Sequence, residues 1–342
     1  MWRSCLKWMT LILGTTIGAG YASGRELWQF FGHESGLAIV LFAIFFSSCC
    51  IVIMQISYRL QSTNYLPVLK VIVGEKLTKA FDILIMLYLF TTTMIMIAGS
   101  GATGQAFNLH YSWGIVLIVV ILVMLFRKGI NGLLTVNQFI LPILIGGLLL
   151  VLLKFTVDQD LHLLSHWEEQ RNWMAAFPFT ALNILPLIAV LGAIGNKVSS
   201  QKEIIVSCIG SGLALGTVSY IYNNSLIQIA DEIILYEIPL FAILKHYPLS
   251  MVIIMSILLW FAIFTTAASG VLGIATRVQY YIQKPMYLIV LVTLIIMIPL
   301  TTFGFSNLIS VLYPIYAILN LYVLARLLLY PVWGIVNRQK RT

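Results

Sequence analysis

The chain is 342 residues long, 60% hydrophobic and 9% charged, with 20 Lys and Arg against 12 Asp and Glu for a net charge of +8. Soluble globular domains carry about 25% charged residues, so this composition excludes a soluble enzyme or binding module. No basic domain stands outside the apolar runs, so the positive charge gives no reason to expect a nucleic-acid partner.

A membrane-crossing helix needs roughly 20 mostly apolar residues, because hydrocarbon offers no partner to a free backbone N–H or C=O. In chain order the apolar runs predict an all-α membrane protein of about ten spans, at about 8–31, 36–60, 83–107, 112–127, 133–156, 173–196, 203–227, 250–276, 284–303 and 306–330. The fourth is the shortest, with an apolar run only from Trp113 to Phe126, and nine spans is the alternative. Arg3 and Lys7 ahead of the first run, with Ala19, Ala22 and Gly24 behind it, mimic a cleavable signal peptide; the run is read as a retained first span.

The hydrophilic stretches 61–82, 157–172 and 228–249 are too short for a soluble domain, so residues 1–342 form one membrane domain. Leu66 to Leu77, with Lys70, Lys76 and Lys79 close by, reads as a short helix lying along the membrane surface. The stretch from Gln228 to Tyr247 reads as an outer loop folded over a vestibule. Cys5, Cys49, Cys50 and Cys208 stand at no metal-ligand or redox spacing and are read as small packing residues.

Charge sorts by side. With a cytoplasmic N-terminus, one side collects 16 of the 20 basic residues, from Arg3 and Lys7 to Arg338, Lys340 and Arg341. The other side keeps Arg25, Lys154, Arg171 and Lys245 together with nine of the 12 acids. The positive-inside rule then puts both termini in the cytoplasm.

Ten spans divide into five plus five, about 8–156 and 173–330, and an odd number of spans per half inverts the second half in the membrane. An inverted repeat of this kind requires the first span of each half to be interrupted near the midplane. Residues 14–24 carry four glycines, Gly14, Gly18, Gly20 and Gly24, each costing a helix interior about 1 kcal/mol relative to alanine. The sixth span carries Pro178, Asn183 and Pro186. Breaks are therefore predicted near 17–21 and 182–186. Close helix packing and ordinary proline kinks would explain the same residues without a site.

Unwound backbone inside a membrane exposes carbonyls that coordinate cations and helix ends whose dipoles attract ligand charges. Gly18, Ala19, Gly20 and Asn183 are accordingly candidate substrate-binding residues, with Tyr88 beside them among hydroxyl-bearing Thr91, Thr92 and Thr93. Glu26 is the acid closest to the break; it belongs either to this site or to an outer-interface pair with Arg25.

Gly14-Thr-Thr-Ile-Gly-Ala-Gly resembles the first unwound segment of the LeuT-type fold of the amino acid–polyamine–organocation superfamily. Residues 14–32 are similar, more narrowly, to the YkvI-like bacterial membrane proteins. The resemblance implies a secondary transporter of an amino acid or organic amine in a bacterial inner membrane. It also implies a sodium site made by the carbonyls of Gly14, Ile17 and Ala262 and the hydroxyls of Thr265 and Thr266. Proton-coupled relatives carry a lysine on the fifth span, whereas this one has Asn137 and Gln138 and no basic residue before Lys154; sodium is expected over protons. The sixth span departs from the family by lacking a glycine-rich break, which puts the substrate in doubt more than the fold.

Beyond a coupling sodium, no cofactor is expected. The expected partners are a small solute and membrane lipids; no obligatory protein partner is inferred. No His-Glu-x-x-His or Gly-x-Ser-x-Gly motif occurs and the five histidines sit outside the span centres, which argues against an intramembrane enzyme. A channel or sensory protein remains the alternative to a carrier.

Overall fold

A computed structural model describes residues 2–105, 110–127, 130–160, 170–233, 236, 238–245, 247–303 and 305–339. The sequence expectations for Lys128, Glu168, Glu169, Glu237 and the last three residues fall outside these. Fifteen α-helices run in chain order: α1 (Trp2–Thr16), α2 (Ala19–Ala22), α3 (Arg25–Phe30), α4 (Gly36–Leu60), α5 (Leu66–Val73), α6 (Glu75–Gln105), α7 (Tyr111–Phe126), α8 (Ile130–Asp158), α9 (Ala176–Gly192), α10 (Gln201–Gln228), α11 (Ala230–Ile233), α12 (Pro239–Leu244), α13 (Leu249–Ile282), α14 (Met286–Met297) and α15 (Phe305–Gln339).

Six described helical segments are long and apolar enough to cross a membrane, and Tyr111–Phe126 and Met286–Thr302 are shorter apolar helices. With the interrupted α1–α3 and with α8, they follow the order expected for ten spans. Two spans are longer than the hydropathy suggested: the third starts at Glu75, and α13 runs on to Ile282. The reason lies in one pair. Asp82 and Arg277, which hydropathy alone places in loops, neutralise each other between α6 and α13, with Arg277 Nη2 2.6 Å from Asp82 Oδ2. The short helix predicted after the second span is α5, and the stretch from Gln228 to Tyr247 carries α11 and α12.

Packing assigns the neighbours. α13 lies along α6, α10 along α4, and α9 between α15 and α4, while α1 contacts α10, α8 and α13. Phe31, Phe42 and Phe179 knit α3, α4 and α9 together, with ring centroids 4.5 Å apart for Phe31–Phe179 and 4.7 Å for Phe42–Phe179. Cys49, Cys50 and Cys208 are buried and free, as expected of packing residues.

The first span breaks where its glycines cluster. α1 stops at Thr16, Ile17 and Gly18 are non-helical, α2 makes a single turn, and Gly24 at φ 80 turns the chain into α3. That left-handed conformation is open to glycine and strained for other residues. The sixth span differs from expectation. α9 runs unbroken through 182–186 with Pro186 inside it and ends at Gly192, and a 3-10 turn at Gly195–Lys197 leads on to α10, so the expected break is absent from it. A proline removes one helical hydrogen bond but leaves its neighbours in place, and in a membrane packing against adjacent helices holds such a helix together. Here Asn320 of α15 donates to the Ala181 carbonyl and supports α9 from outside.

Candidate substrate and cation site

The break in α1–α3 frees backbone groups, and neighbouring elements satisfy several of them. Tyr222 Oη of α10 donates to the Ala22 carbonyl at 3.0 Å, and Tyr21 Oη donates to the Leu215 carbonyl at 3.0 Å. The Leu240 N–H of α12 donates to the Ser23 carbonyl at 2.9 Å, so the loop helix caps the break. These bonds fix α2 and α3 beneath α12 and against α10.

On the other side of the break, the hydroxyl of Thr266 on α13 donates to the carbonyls of Gly14 at 3.4 Å and Ile17 at 3.3 Å. Three of the five oxygens expected to hold sodium are thus together. The other two, the Ala262 carbonyl and the Thr265 hydroxyl, are hydrogen-bonded to each other at 3.1 Å on the same helix. Thr265 is fully buried, and Ser269 one turn on bridges the two helices, donating to the Thr265 carbonyl at 3.0 Å and lying 3.3 Å from Thr15 Oγ1. The donor set is neutral oxygen, which suits a hard cation of low charge; a soft metal would favour sulfur or imidazole.

Beside these oxygens lies a cavity of about 30 Å³ between α1, α3, α6, α9, α13 and α15. A water needs about 10–15 Å³ by the same measure, so the cavity holds about two. Four of the expected substrate residues, Gly18, Glu26, Tyr88 and Asn183, line it. Gly20 packs behind Glu26, where a Cβ would overlap the carboxyl group. Ala19 opens α2, and its side chain is outside the described residues. Asn183 spends its amide on the Phe179 carbonyl at 2.8 Å.

Of the three threonines after Tyr88, only Thr92 lines the cavity. Thr91 instead reaches Tyr316 at 3.1 Å, and Thr93 packs on Gly270 of α13, because consecutive helical residues point 100° apart. Among the described ion pairs Glu26 and Arg25 are not joined; Glu26 turns inward, is 5% exposed, and lines the cavity together with Tyr313 of α15. Tyr313 escaped the sequence reading because a tyrosine near the start of an apolar span reads as an interfacial anchor.

Comparison with known proteins places the chain. It is 46% identical over 332 residues to the uncharacterized protein YyaD of Bacillus subtilis (strain 168), covering 97% of this chain and 98% of YyaD. The chain belongs to the YyaD family. It is also 24% identical over 326 residues to the uncharacterized membrane protein YkvI of the same organism, covering 92% of this chain and 93% of YkvI. No family model matches. Among solved structures it is similar to MhsT in complex with L-phenylalanine, with a TM-score of 0.71, 14% identity and coverage of 96% of this chain and 89% of MhsT. It is similar as well to the substrate-bound, outward-open state of a Na+-coupled sialic acid symporter, with a TM-score of 0.64, 13% identity and coverage of 92% and 74%. The YyaD-family chain therefore has the LeuT-type fold.

Proposed function

We propose that this YyaD-family protein is a secondary transporter of a small solute, an amino acid or organic amine, coupled to sodium and working by alternating access, with both termini in the cytoplasm. The observation that carries the reading is the pair of carbonyls, Gly14 and Ile17, freed by the break and met by Thr266 beside a small lined cavity. The structural neighbours include a Na+-coupled symporter of the same fold, which agrees with it.

Sodium at this position would accept the two carbonyls and the Thr265 and Thr266 hydroxyls as ligands and tie α1 to α13. Binding there favours the arrangement in which the break and α13 are closest. A cavity for about two waters cannot contain a whole amino acid, so loading requires the elements around it to part.

The test needs no known substrate. Purified protein should melt at a higher temperature in sodium chloride than in potassium chloride, since a ligand at 100 times its Kd stabilises by about 2.7 kcal/mol. Thr265→Ala with Thr266→Ala should abolish that difference while leaving the melting temperature in potassium nearly unchanged, because membrane-helix hydroxyls contribute only about 0.6 kcal/mol on average. A double variant that kept the sodium response would remove the site. Counterflow in proteoliposomes, with solutes that shift the melting curve, then separates a carrier from a channel.

A further inference from the structure

The cavity has one ionisable acid and, among the described residues, no lysine, arginine or histidine in its lining. That acid, Glu26, is 5% exposed and enters none of the described ion pairs. Its carboxyl lies against the bare backbone of Gly20, so the break itself makes the room it occupies. The ionisable groups that line the cavity with it are phenols, Tyr313 of α15 and Tyr88 of α6. The remaining lining is hydroxyls, an amide and apolar side chains, including Thr16, Thr92, Asn183 and Met96.

A carboxylate taken out of water without a positive partner is costly, and a cationic ligand that supplies the partner recovers part of that cost, less what its own ammonium loses on leaving water. Two phenol rings beside the carboxylate add faces to which an ammonium is attracted. An anionic solute would meet like charge here and no cationic side chain. The cavity has room for an ammonium group with little else, so the rest of a solute extends toward space created when the surrounding elements part.

We infer that Glu26 seats the ammonium group of the transported solute, with the phenols of Tyr313 and Tyr88 flanking it. The inference rests on the transporter reading for its cavity, but not on the cation site: Glu26 is not among that site's five expected oxygens, although Glu26 and Thr266 line the same cavity. It selects solutes that carry an ammonium, amines or amino acids alike, and excludes simple carboxylates.

The experiment compares three solutes of one chain length, n-butylammonium, 4-aminobutyrate and butyrate, as stabilisers of the purified full-length protein in sodium chloride. Butylammonium and 4-aminobutyrate should raise the melting temperature and butyrate should not; the stronger of the first two tells whether amine or amino acid is favoured. Glu26→Gln should raise the half-saturating concentration roughly ten- to hundredfold, the range for a lost charged hydrogen bond. Tyr313→Phe, which keeps the carboxylate, should raise it only a few-fold. The sodium-dependent shift should survive in both variants and serves as the control for folding. Equal affinity in wild type and Glu26→Gln, stabilisation by butyrate, or no response to any of the three would overturn the inference. Loss of the sodium shift in Glu26→Gln would do so too, because the carboxylate would then be holding sodium. If the sodium shift is absent from wild type while the ammonium response depends on Glu26, the coupling ion has been misassigned and the ammonium seat stands.

Discussion

Asp82 and Arg277 show how a single pair changes what a residue means. The guanidinium holds the carboxylate by two hydrogen bonds, Nε to Oδ1 at 3.0 Å and Nη2 to Oδ2 at 2.6 Å, and Tyr65 Oη adds a third at 2.7 Å. Their side chains are only 10% and 16% exposed, so removing one partner strands a charge at a cost of about 3–5 kcal/mol. Asp82→Asn should therefore lower stability by roughly that amount in thermal or denaturant unfolding, and Asp82→Leu with Arg277→Met should recover most of it. A double variant as unstable as the single would mean that the pair is worth more than its burial costs. Read as sequence, both residues looked like loop charges, because hydropathy counts each charge singly and cannot see one neutralised from 195 positions away. Glu26 posed the same difficulty: the sequence left it between the site and a pair with Arg25, and the fold turns it into the cavity beside Tyr313.

At the scale of elements, the α1–α3 break depends on Gly24, whose φ of 80 a side chain resists and whose Cβ would come within 2.9 Å of the Tyr222 ring. A non-glycine residue held in such a conformation costs about 1–3 kcal/mol. Gly24→Ala should lose that much stability and should weaken the sodium response as well, since the turn positions the break. α10 begins with a Ser-x-x-Glu cap: Ser200 Oγ accepts the Glu203 N–H at 3.3 Å, while Glu203 accepts the Ser199 N–H at 3.3 Å. Ser200→Ala should cost about 1 kcal/mol and leave the sodium response intact, a contrast that a melting series in the two salts would measure. The first break was legible because four glycines in one span each weaken the helix interior, and at that density the span gives way among them. The break expected in the sixth span is absent, because proline marks a lost hydrogen bond without saying whether neighbours make up for it, and here α4 and α15 pack along α9.

At the scale of the molecule, α12 sits on the break through the Leu240 N–H to Ser23 carbonyl bond at 2.9 Å, and opening the cavity from that end requires the contact to part. Cysteines at 23 and 240 should cross-link under oxidation, since backbones this close bring Cα atoms within disulfide range. The four native cysteines are buried and should not compete. Solute-induced melting shifts should vanish in the oxidised protein and return on reduction; unchanged shifts after complete cross-linking would show that solute enters from the other end.

The sequence by itself determined that the chain is a membrane protein, how its spans follow one another, and that the first span breaks near Gly18. Each rests on local composition: about 20 apolar residues suffice for a span, and clustered glycines for a break. Tertiary structure alone decided that Thr266 faces Gly14 and Ile17, that Glu26 turns into the cavity that Tyr313 also lines, that Thr92 and not Thr91 or Thr93 lines the cavity, and that α9 continues past Pro186. The reason is that such contacts join residues up to 252 positions apart, as Thr266 is from Gly14, and depend on how helices rotate and pack, which no single span's composition encodes.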